Sequence, residues 1–265
     1  MKKYKSYILG GCMVVLILLI WQLASETGIF GKYEISRGKL MLPSPVFVIK
    51  RMVELLFNGY LLIHIWISFK RVITGFLIAV LLGVPLGILM GRNESIKLFV
   101  QPIFKILAPI PGVAWVPLAI LWFGLGDDAA IFIIIVSAIT PIVTNVIQGV
   151  ESIDNNLESL MIMFKASKSQ SMRFLIMPSI TPYIVTGFKL GLGYAWRVVI
   201  AAEMVGVPDG MGYVLNLGRS TAQTEITFIT ILVLCVMLVV MEKCLFSNLE
   251  KITNTWKVKE TDNNS

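Results

Sequence analysis

Two uncharged stretches of this sequence constrain its fold most strongly. Residues 72–91 and residues 129–150 contain no charged side chain, and the first stretch lies between Arg71 and Arg92. A helix needs about 20 predominantly apolar residues to cross the hydrocarbon core of a bilayer. Both stretches meet that length. Together with four further apolar segments they predict six membrane spans, at 6–25, 72–91, 106–126, 129–149, 179–202 and 226–241.

The composition of the chain supports a membrane protein and excludes a soluble domain. Of the 265 residues, 56% are hydrophobic and 15% are charged, and the mean hydropathy is +0.81. Soluble domains carry about 25% charged residues. The predicted fold class is therefore all-α, a polytopic membrane helix bundle. The net charge of +7 is attributed to basic segments that face anionic lipid in the bilayer, and no nucleic-acid partner is expected.

No constellation of residues predicts an enzyme or a metal site. The three cysteines (Cys12, Cys235 and Cys244) have no metal-ligand spacing, and their odd number argues against a disulfide framework. The single histidine, His64, has no acidic partner nearby and is interpreted as a partly buried surface residue. The sequence also lacks a P-loop, a zinc-protease motif and a nucleophile elbow. We therefore expect no catalytic residues, no metal and no cofactor.

The distribution of basic residues predicts how the chain is oriented. With the N-terminus inside, Lys and Arg are more numerous in the inner segments than in the outer ones, as the positive-inside rule requires. The first apolar run, 6–25, is long enough to span and is interpreted as a retained helix and not as a signal peptide. Residues 43–70 predict a peripheral helix at the membrane surface. The protein is expected in the cell membrane, with several spans and both termini in the cytoplasm.

The third predicted span contains an unusual number of prolines. Pro109, Pro111 and Pro117 interrupt the segment around Trp115, and proline removes the helical hydrogen bonds of its neighbours. Irregular backbone at membrane depth is tolerated only when it is buried in protein or lines a water-filled cavity. The segment therefore indicates a pathway through the membrane, with Trp115 and Pro117 as candidate pathway residues.

Charged residues in or beside the fifth predicted span are further candidates for the pathway. Arg197 and Glu203 are both candidates, because charges inside a membrane usually face a bundle interior or a cavity. The alternative is that Glu203 lies at the outer interface and that Lys189 extends its ammonium group to the membrane surface. Gly83, Gly87 and Gly91 recur at a spacing that permits close helix packing, and packing within one subunit is the simpler interpretation.

The polar and basic segment 151–178 separates two of the most apolar regions. Such a segment predicts a cytoplasmic docking element for another protein. Two classes of function fit this arrangement, namely a transporter subunit and a non-transporting scaffold or sensor that binds a cytoplasmic partner. The proline-broken third span favours transport, because a scaffold needs no broken helix at membrane depth. A membrane enzyme is a third and poorly supported alternative.

Several stretches carry a resemblance to a known family. Residues 68–76, 112–124, 195–204 and 210–213 resemble the permease subunit of binding-protein-dependent ABC importers with the type I fold, in the sulfonate, taurine and nitrate branch. The resemblance implies a homodimer, a separate ATP-binding subunit, an extracytoplasmic solute-binding protein and a small anionic solute. It also implies three regions, namely a first helix with an outer loop at 1–60, an ABC transmembrane type-1 domain at 61–245 and a cytoplasmic tail at 246–265.

The cytoplasmic loop of this family has the signature E-A-A-x-x-x-G, followed by [IVL]-x-L-P. When the second part is aligned on residues 175–178, the glutamate falls on Ser159, the first alanine on Leu160 and the glycine on Lys165. Ala166 and Ser167 match the residues that commonly follow the glycine. Because lysine does not take positive φ as easily as glycine, the turn at Lys165 is expected to differ from that of the family.

The resemblance also implies what this loop does. In such importers a short helix of the loop inserts into a groove of the ATP-binding subunit, and here that helix corresponds to residues 159–164. Leu160 and Met163 would pack in the groove, and Lys165 would contribute charge at its rim. The predicted coupling residues are Ser159, Leu160, Met163, Lys165, Ala166 and Ser167.

Overall fold

A computed structural model describes residues 2–28 and 41–254 of the chain. Two predicted regions therefore fall partly outside the described residues, namely the outer loop after the first span (29–40) and the C-terminal tail (255–265). The described part is helical and contains no β-strand. Its helices are α1 Lys2–Thr27, α2 Pro45–Phe57, α3 Tyr60–Arg92, α4 Glu94–Leu107, α5 Val116–Phe123, α6 Asp127–Glu151, α7 Asn155–Met163, α8 Lys168–Ser171, α9 Met177–Gly206, α10 Met211–Ser220 and α11 Thr224–Asn254.

Within the described residues, five helices are long and apolar enough to cross a membrane, and they are α1, α3, α6, α9 and α11. α4 and the segment Gly112–Phe123 meet at a bend of 92°. If these two segments count as one broken span, they form a sixth span. The predicted helix bundle is thus confirmed. A helix satisfies its backbone hydrogen bonds within its own segment, which a lipid environment requires.

Two predicted boundaries are wrong. The third span was expected to begin at residue 106, but the helix leading into the break begins at Glu94. The second span was expected to begin at residue 72, after a peripheral helix within 43–70, but α2 ends at Phe57 and α3 already begins at Tyr60. In both places the helix contains charged residues, and a prediction from hydrophobicity assigns such residues to a connecting segment.

The chain divides into two compact units. The first comprises the described residues of Met1–Ile67 and Asp209–Cys235. In this unit the Trp21 indole N–H donates to the Pro43 carbonyl at 3.0 Å, and the Ser25 hydroxyl donates to the Leu42 carbonyl at 2.7 Å. The chain that leads into α2 is thereby fixed to the end of α1. His64 lies partly buried, and its Nδ1 accepts a hydrogen bond from the Gly210 amide at 3.0 Å.

The second unit comprises the described residues of Ser68–Pro208 and Val236–Ser265, and its centre is α6. Four glycines of α3 contact α6 so closely that a Cβ atom at any of them would lie 3.0 Å or less from an α6 side chain. The contacts join Gly75 to Ile134, Gly83 to Ile142, Gly87 to Val146 and Gly91 to Val150. Both residue numbers rise together along this series, so α3 and α6 run parallel. The glycine pattern therefore serves packing within one subunit, as predicted.

The other face of α6 packs against α9 in the opposite direction. Gly187 of α9 contacts Asn145, and Gly191 contacts the Ala138 carbonyl, so the two helices are antiparallel. In return Gly149 of α6 accommodates the ring of Tyr183. Glycine at these contacts lets the helix backbones approach closely and gain dispersion energy, which is a main source of helix association in lipid.

Candidate functional site

The break before α5 follows directly from its prolines. α4 ends at Leu107, and Pro111 has φ −59° and ψ 134°, an extended conformation that turns the chain away from the helix axis. Residues Gly112–Trp115 then form a short 3₁₀ turn that leads into α5. Proline lacks an amide hydrogen and is well suited to the first turn of the new helix. The predicted interruption of the third span is thus confirmed.

A cavity of about 360 Å³ lies beside this break. Its walls come from the break itself (107–112 and Trp115), from the α6 segment 136–145, and from Leu190 and Tyr194 of α9. The irregular backbone of the third predicted span therefore borders a cavity, which is the condition under which such backbone is tolerated within a membrane. The predicted pathway residue Trp115 lies on its wall.

A second cavity of about 230 Å³ adjoins the first. The two cavities share Gly112, Ser137 and Tyr194, and the second also contacts Val113 and Arg197. Arg197 is exposed, and within the described part of the chain no carboxylate forms an ion pair with it. The structure thus brings Trp115 and Arg197 to adjoining cavities.

The other two predicted pathway residues lie elsewhere. Pro117 is exposed in the first turn of α5 and lines neither of these cavities. Glu203, near the end of α9, is only 1% exposed and also lines neither cavity. Its carboxylate instead accepts hydrogen bonds from the Ser68 hydroxyl at 2.9 and 2.8 Å and from Arg71 Nη1 at 2.9 Å.

Arg71 links three helices through this buried cluster. Its Nε atom also donates to the Asp127 carboxylate at 2.7 Å, so the guanidinium of α3 bridges the start of α6 and the end of α9. Arg71 is 3% exposed. Removing one partner of a buried ion pair typically costs about 3–5 kcal/mol, because the other charge is left buried without compensation. The cluster therefore fixes the relative positions of these three helices.

Ser68 and Arg71 lie in a stretch that carries the family resemblance, but no sequence signal marks either as part of a buried cluster. Arg71 stands at the border of an uncharged run, where a charge is expected to lie in a connecting segment. The polar wall of the first cavity was also missed, although it had a signal in the sequence. Ser137, Thr140, Thr144 and Asn145 recur along α6 at intervals that place them on one face of a helix.

The segment between α6 and α9 contains the predicted coupling residues. It begins with α7, whose first turn is capped by the Asp154 carboxylate accepting from the Asn156 amide at 2.8 Å. α7 extends over Asn155–Met163, so it starts one turn earlier and ends one residue earlier than the helix predicted at 159–164. Ser159 lies on the exposed side of α7, and its hydroxyl donates to the Asn155 carbonyl at 2.9 Å.

The turn after α7 contradicts the expectation for Lys165. This residue has φ 51°, which lies in the left-handed region that glycine adopts most easily. The Lys165 amide donates to the Ile162 carbonyl at 2.9 Å, and the Ala166 amide donates to the Met161 carbonyl at 3.0 Å. These two bonds form a Schellman motif, the common C-terminal cap of a helix. The prediction that lysine would change the turn is wrong. The two hydrogen bonds of the cap hold Lys165 in the left-handed conformation, although this conformation is unfavourable for a residue with a Cβ atom.

A capping box starts the next helix immediately. The Ser167 hydroxyl accepts from the Gln170 amide at 3.2 Å, and the Gln170 side chain accepts from the Ser167 amide at 2.7 Å. Two caps in succession, one on each side of Ala166, leave little freedom in the connection. The predicted residues Lys165, Ala166 and Ser167 are therefore the ones that determine the angle between α7 and α8.

Large apolar side chains of this segment face away from the protein. Ile162, Met163 and Phe164 are 75%, 78% and 80% exposed, and Leu160 is 45% exposed. Met161 is partly buried and lines a cavity of about 90 Å³ next to Arg92 and Glu158, which Ile162 also borders. We call Leu160, Ile162, Met163 and Phe164 the apolar surface of the loop. An apolar surface of this kind on a polar segment indicates an interaction site.

Two ion pairs attach this region to the ends of the long helices. Arg92, the last residue of α3, pairs with Glu158 of α7, and Lys97 of α4 pairs with Glu151, the last residue of α6. All four side chains are at least partly exposed, so each pair is worth at most about 1 kcal/mol. The Arg92–Glu158 pair joins α7 directly to α3, and the Lys97–Glu151 pair joins α4 to α6.

Comparisons with known proteins agree with this architecture. Residues 83–243 match the family described as "Binding-protein-dependent transport system inner membrane component". The chain is 32% identical to the putative ABC transporter permease protein MJ0413 of Methanocaldococcus jannaschii, over 87% of this chain and 85% of that protein. It is 30% identical to the putative aliphatic sulfonates transport permease protein SsuC of Bacillus subtilis, over 89% of this chain and 83% of that protein.

Further relatives are named as taurine, nitrate and bicarbonate permeases. Among solved structures, one of the MetNI methionine ABC transporter in inward-facing conformations is similar in fold, with a TM-score of 0.58 and 19% identity. The match covers 77% of this chain and 97% of that chain. The chain therefore belongs to the inner membrane components of binding-protein-dependent transport systems and has the type I permease fold of ABC importers.

Proposed function

We propose that this chain is the permease subunit of an ATP-driven importer for a small anionic solute. Two copies would form the pathway, a separate ATP-binding subunit would hydrolyse ATP, and an extracytoplasmic solute-binding protein would deliver the solute. The observation that carries the proposal is the apolar surface of the loop, which a partner must cover. Its place between α6 and α9 is where the family signature predicts the ATP-binding subunit to bind.

The ion pairs and caps described above suggest how movement would be transmitted. If closure of the ATP-binding subunits displaces α7, the Arg92–Glu158 pair transmits the displacement to the end of α3. α3 packs on α6 through its glycines over several turns, so the two helices would move as one body. A rigid-body movement of this type would switch the pathway between its inward-facing and outward-facing states.

The cavities beside the broken span support an anionic solute. Arg197 is the one charged residue among those that line the two described cavities, so the charge there is positive. A single charge matters more at membrane depth than in water, because the dielectric constant is lower. The names of relatives, which include permeases for sulfonates, taurine, nitrate and bicarbonate, support the same class of solute.

The proposal places both termini and the segment 151–178 in the cytoplasm of a cell-membrane protein. The acidic start of α6 would then lie outside. A cysteine introduced at Asp128 should react with a membrane-impermeant reagent in intact cells, and one introduced at Ser167 should react only after the cells are opened. Labelling of the Ser167 position in intact cells would reject this orientation.

A charge placed in the apolar surface tests the proposed function. Met163→Asp should abolish co-purification of the ATP-binding subunit, because an unpaired carboxylate would have to be buried in the contact. The matched control is Ser169→Asp, which adds the same charge to an exposed position of α8 outside the apolar surface and should retain the partner. The amount of permease in the membrane is measured for both variants. Normal partner stoichiometry with Met163→Asp would reject the assigned role of the loop.

A further inference from the structure

We propose that the polar face of α6, together with Arg197, is the site that binds the oxyanion group of the transported solute. This inference rests on the proposed function and adds the side chains that recognise the solute. The named site consists of Ser137, Thr140 and Asn145 of α6 and Arg197 of α9. We call these four residues the oxyanion site.

The polar residues of α6 are concentrated on one side of the helix. Between residues 129 and 150 its polar side chains are Ser137, Thr140, Thr144, Asn145 and Gln148. At 100° per residue these positions fall on one face of the helix. Four of the five line the larger cavity, whereas the packed faces consist of Ala, Ile, Val and Gly. Polar residues at membrane depth carry a desolvation cost, so their concentration along one cavity indicates a ligand that uses them.

Several hydrogen-bonding groups of this face have no partner within the described part of the chain. The Ser137 hydroxyl is fully buried and makes no hydrogen bond. Pro141 has no amide hydrogen, so the helical bond that the Ser137 carbonyl would otherwise accept does not form. Asn145 uses one of its two amide hydrogens to reach the Pro141 carbonyl at 2.8 Å, which leaves the second hydrogen for a ligand.

The donors present fit an acceptor with no protons. Hydroxyl groups and a carboxamide supply neutral donors, and the Arg197 guanidinium supplies a planar, permanently charged set of donors. A sulfonate or nitrate group offers only acceptor oxygens and a negative charge, so each of its oxygens can receive a bond from this set. No carboxylate lines either described cavity, so no negatively charged side chain there would repel the anion.

The two cavities are continuous at the residues they share. Gly112, at the break, approaches Ser137 so closely that a Cβ atom there would lie 2.3 Å from the Ser137 hydroxyl oxygen. The break is therefore what brings the backbone of the third span onto the polar face of α6. An anion held at Ser137 would have Arg197 on one side and Thr140 and Asn145 on the other, because these residues line the two cavities that meet there.

The test uses the full-length chain in zwitterionic lipid nanodiscs, with Cys12, Cys235 and Cys244 replaced by serine. A reporter cysteine replaces Val113, which is 54% exposed and lines the same cavity as Arg197. Its reaction rate is measured with a thiosulfonate reagent that carries a sulfonate and with the corresponding trimethylammonium reagent. Arg197→Gln should lower the ratio of anionic to cationic labelling about tenfold. An unchanged ratio would overturn the assignment of Arg197.

The neutral donors are tested by protection of the same cysteine with methanesulfonate. Thr140→Val should raise the methanesulfonate concentration needed for half-protection about fivefold, the effect of one lost hydrogen bond. The matched control is Thr186→Val in α9, whose hydroxyl donates to the Pro182 carbonyl at 2.9 Å and lines neither described cavity; it should leave protection unchanged. Equal protection in the Thr140→Val variant and the parent would overturn the oxyanion site.

Neither measurement needs ATP or a partner protein. Anion protection without ATP-driven uptake would therefore reject the proposed function and retain the site. Conversely, uptake that is normal in the presence of all partners, combined with no charge-selective labelling, would retain the function and reject the site.

Discussion

Replacement of Lys165 by glycine should stabilise the turn that presents the apolar surface of the loop. Lys165 holds a left-handed conformation, φ 51°, in the Schellman cap of α7. For a residue with a Cβ atom this conformation costs about 1–2 kcal/mol, and glycine avoids that cost. Glycine in turn makes the unfolded segment more flexible, which offsets about 0.5–1 kcal/mol of the gain.

The expected net stabilisation of the cap is thus about 0.5–1 kcal/mol, which corresponds to about a two- to fivefold shift in its opening equilibrium. Hydrogen exchange of the Ala166 amide reports this opening, because that amide donates to the Met161 carbonyl in the cap. Exchange should slow by the same factor in Lys165→Gly. The affinity for the ATP-binding subunit should be retained or increase up to the same factor, since a larger fraction of the protein would be competent to bind.

Lys165→Ala is the matched control for this prediction. Alanine removes the charge of the lysine but keeps the Cβ atom, so it retains the cost of the left-handed conformation. Exchange in Lys165→Ala should therefore match that of the parent protein. If alanine slows exchange as much as glycine does, the lysine charge and not the backbone conformation destabilises the turn. Faster exchange in Lys165→Gly would also refute the reasoning.

Two further predictions concern packing within the second compact unit. Gly87→Ala should lower the stability of the protein in nanodiscs by about 1–3 kcal/mol, because its Cβ would lie 2.7 Å from Val146 Cβ. Gly193→Ala should be neutral, because its Cβ would meet no atom within 4 Å. Equal melting temperatures of the two variants would contradict the close α3–α6 contact. Arg71→Met should cost about 3–5 kcal/mol, because it removes the charge that compensates the buried Glu203 carboxylate. Arg71→Met combined with Glu203→Met should recover part of the loss. Normal membrane levels of the single variant with lost uptake would instead assign Glu203 to the pathway.

The spans could be predicted from the sequence because their signal is local. An uncharged run such as 129–149 needs no knowledge of its neighbours to be recognised, and α6 indeed extends over Asp127–Glu151. The break at Pro109 and Pro111 was predictable for the same reason, since proline removes hydrogen bonds wherever it stands. The bundle of five or six spans and the break in the third predicted span followed from these two local signals.

The remaining features depend on partners that are distant in the sequence. Arg71 is buried within a spanning helix because Asp127 and Glu203 compensate its charge, and those residues are far from it along the chain. Without that information Arg71 marked the end of a span, and the first turns of α3 were assigned to a separate helix. The positive φ of Lys165 was missed because propensity alone disfavours it, whereas the caps on either side of the turn impose it.

The central claim is that this chain forms an ATP-driven pathway for a small anion. Reconstitution of the chain in proteoliposomes with its ATP-binding subunit and solute-binding protein tests that claim most directly. Radiolabelled taurine, methanesulfonate, nitrate and bicarbonate would each be offered with and without ATP. The account predicts that at least one of them accumulates, only when ATP and all three proteins are present. Accumulation by the chain alone, or no accumulation of any of the four anions with every component present, would contradict it.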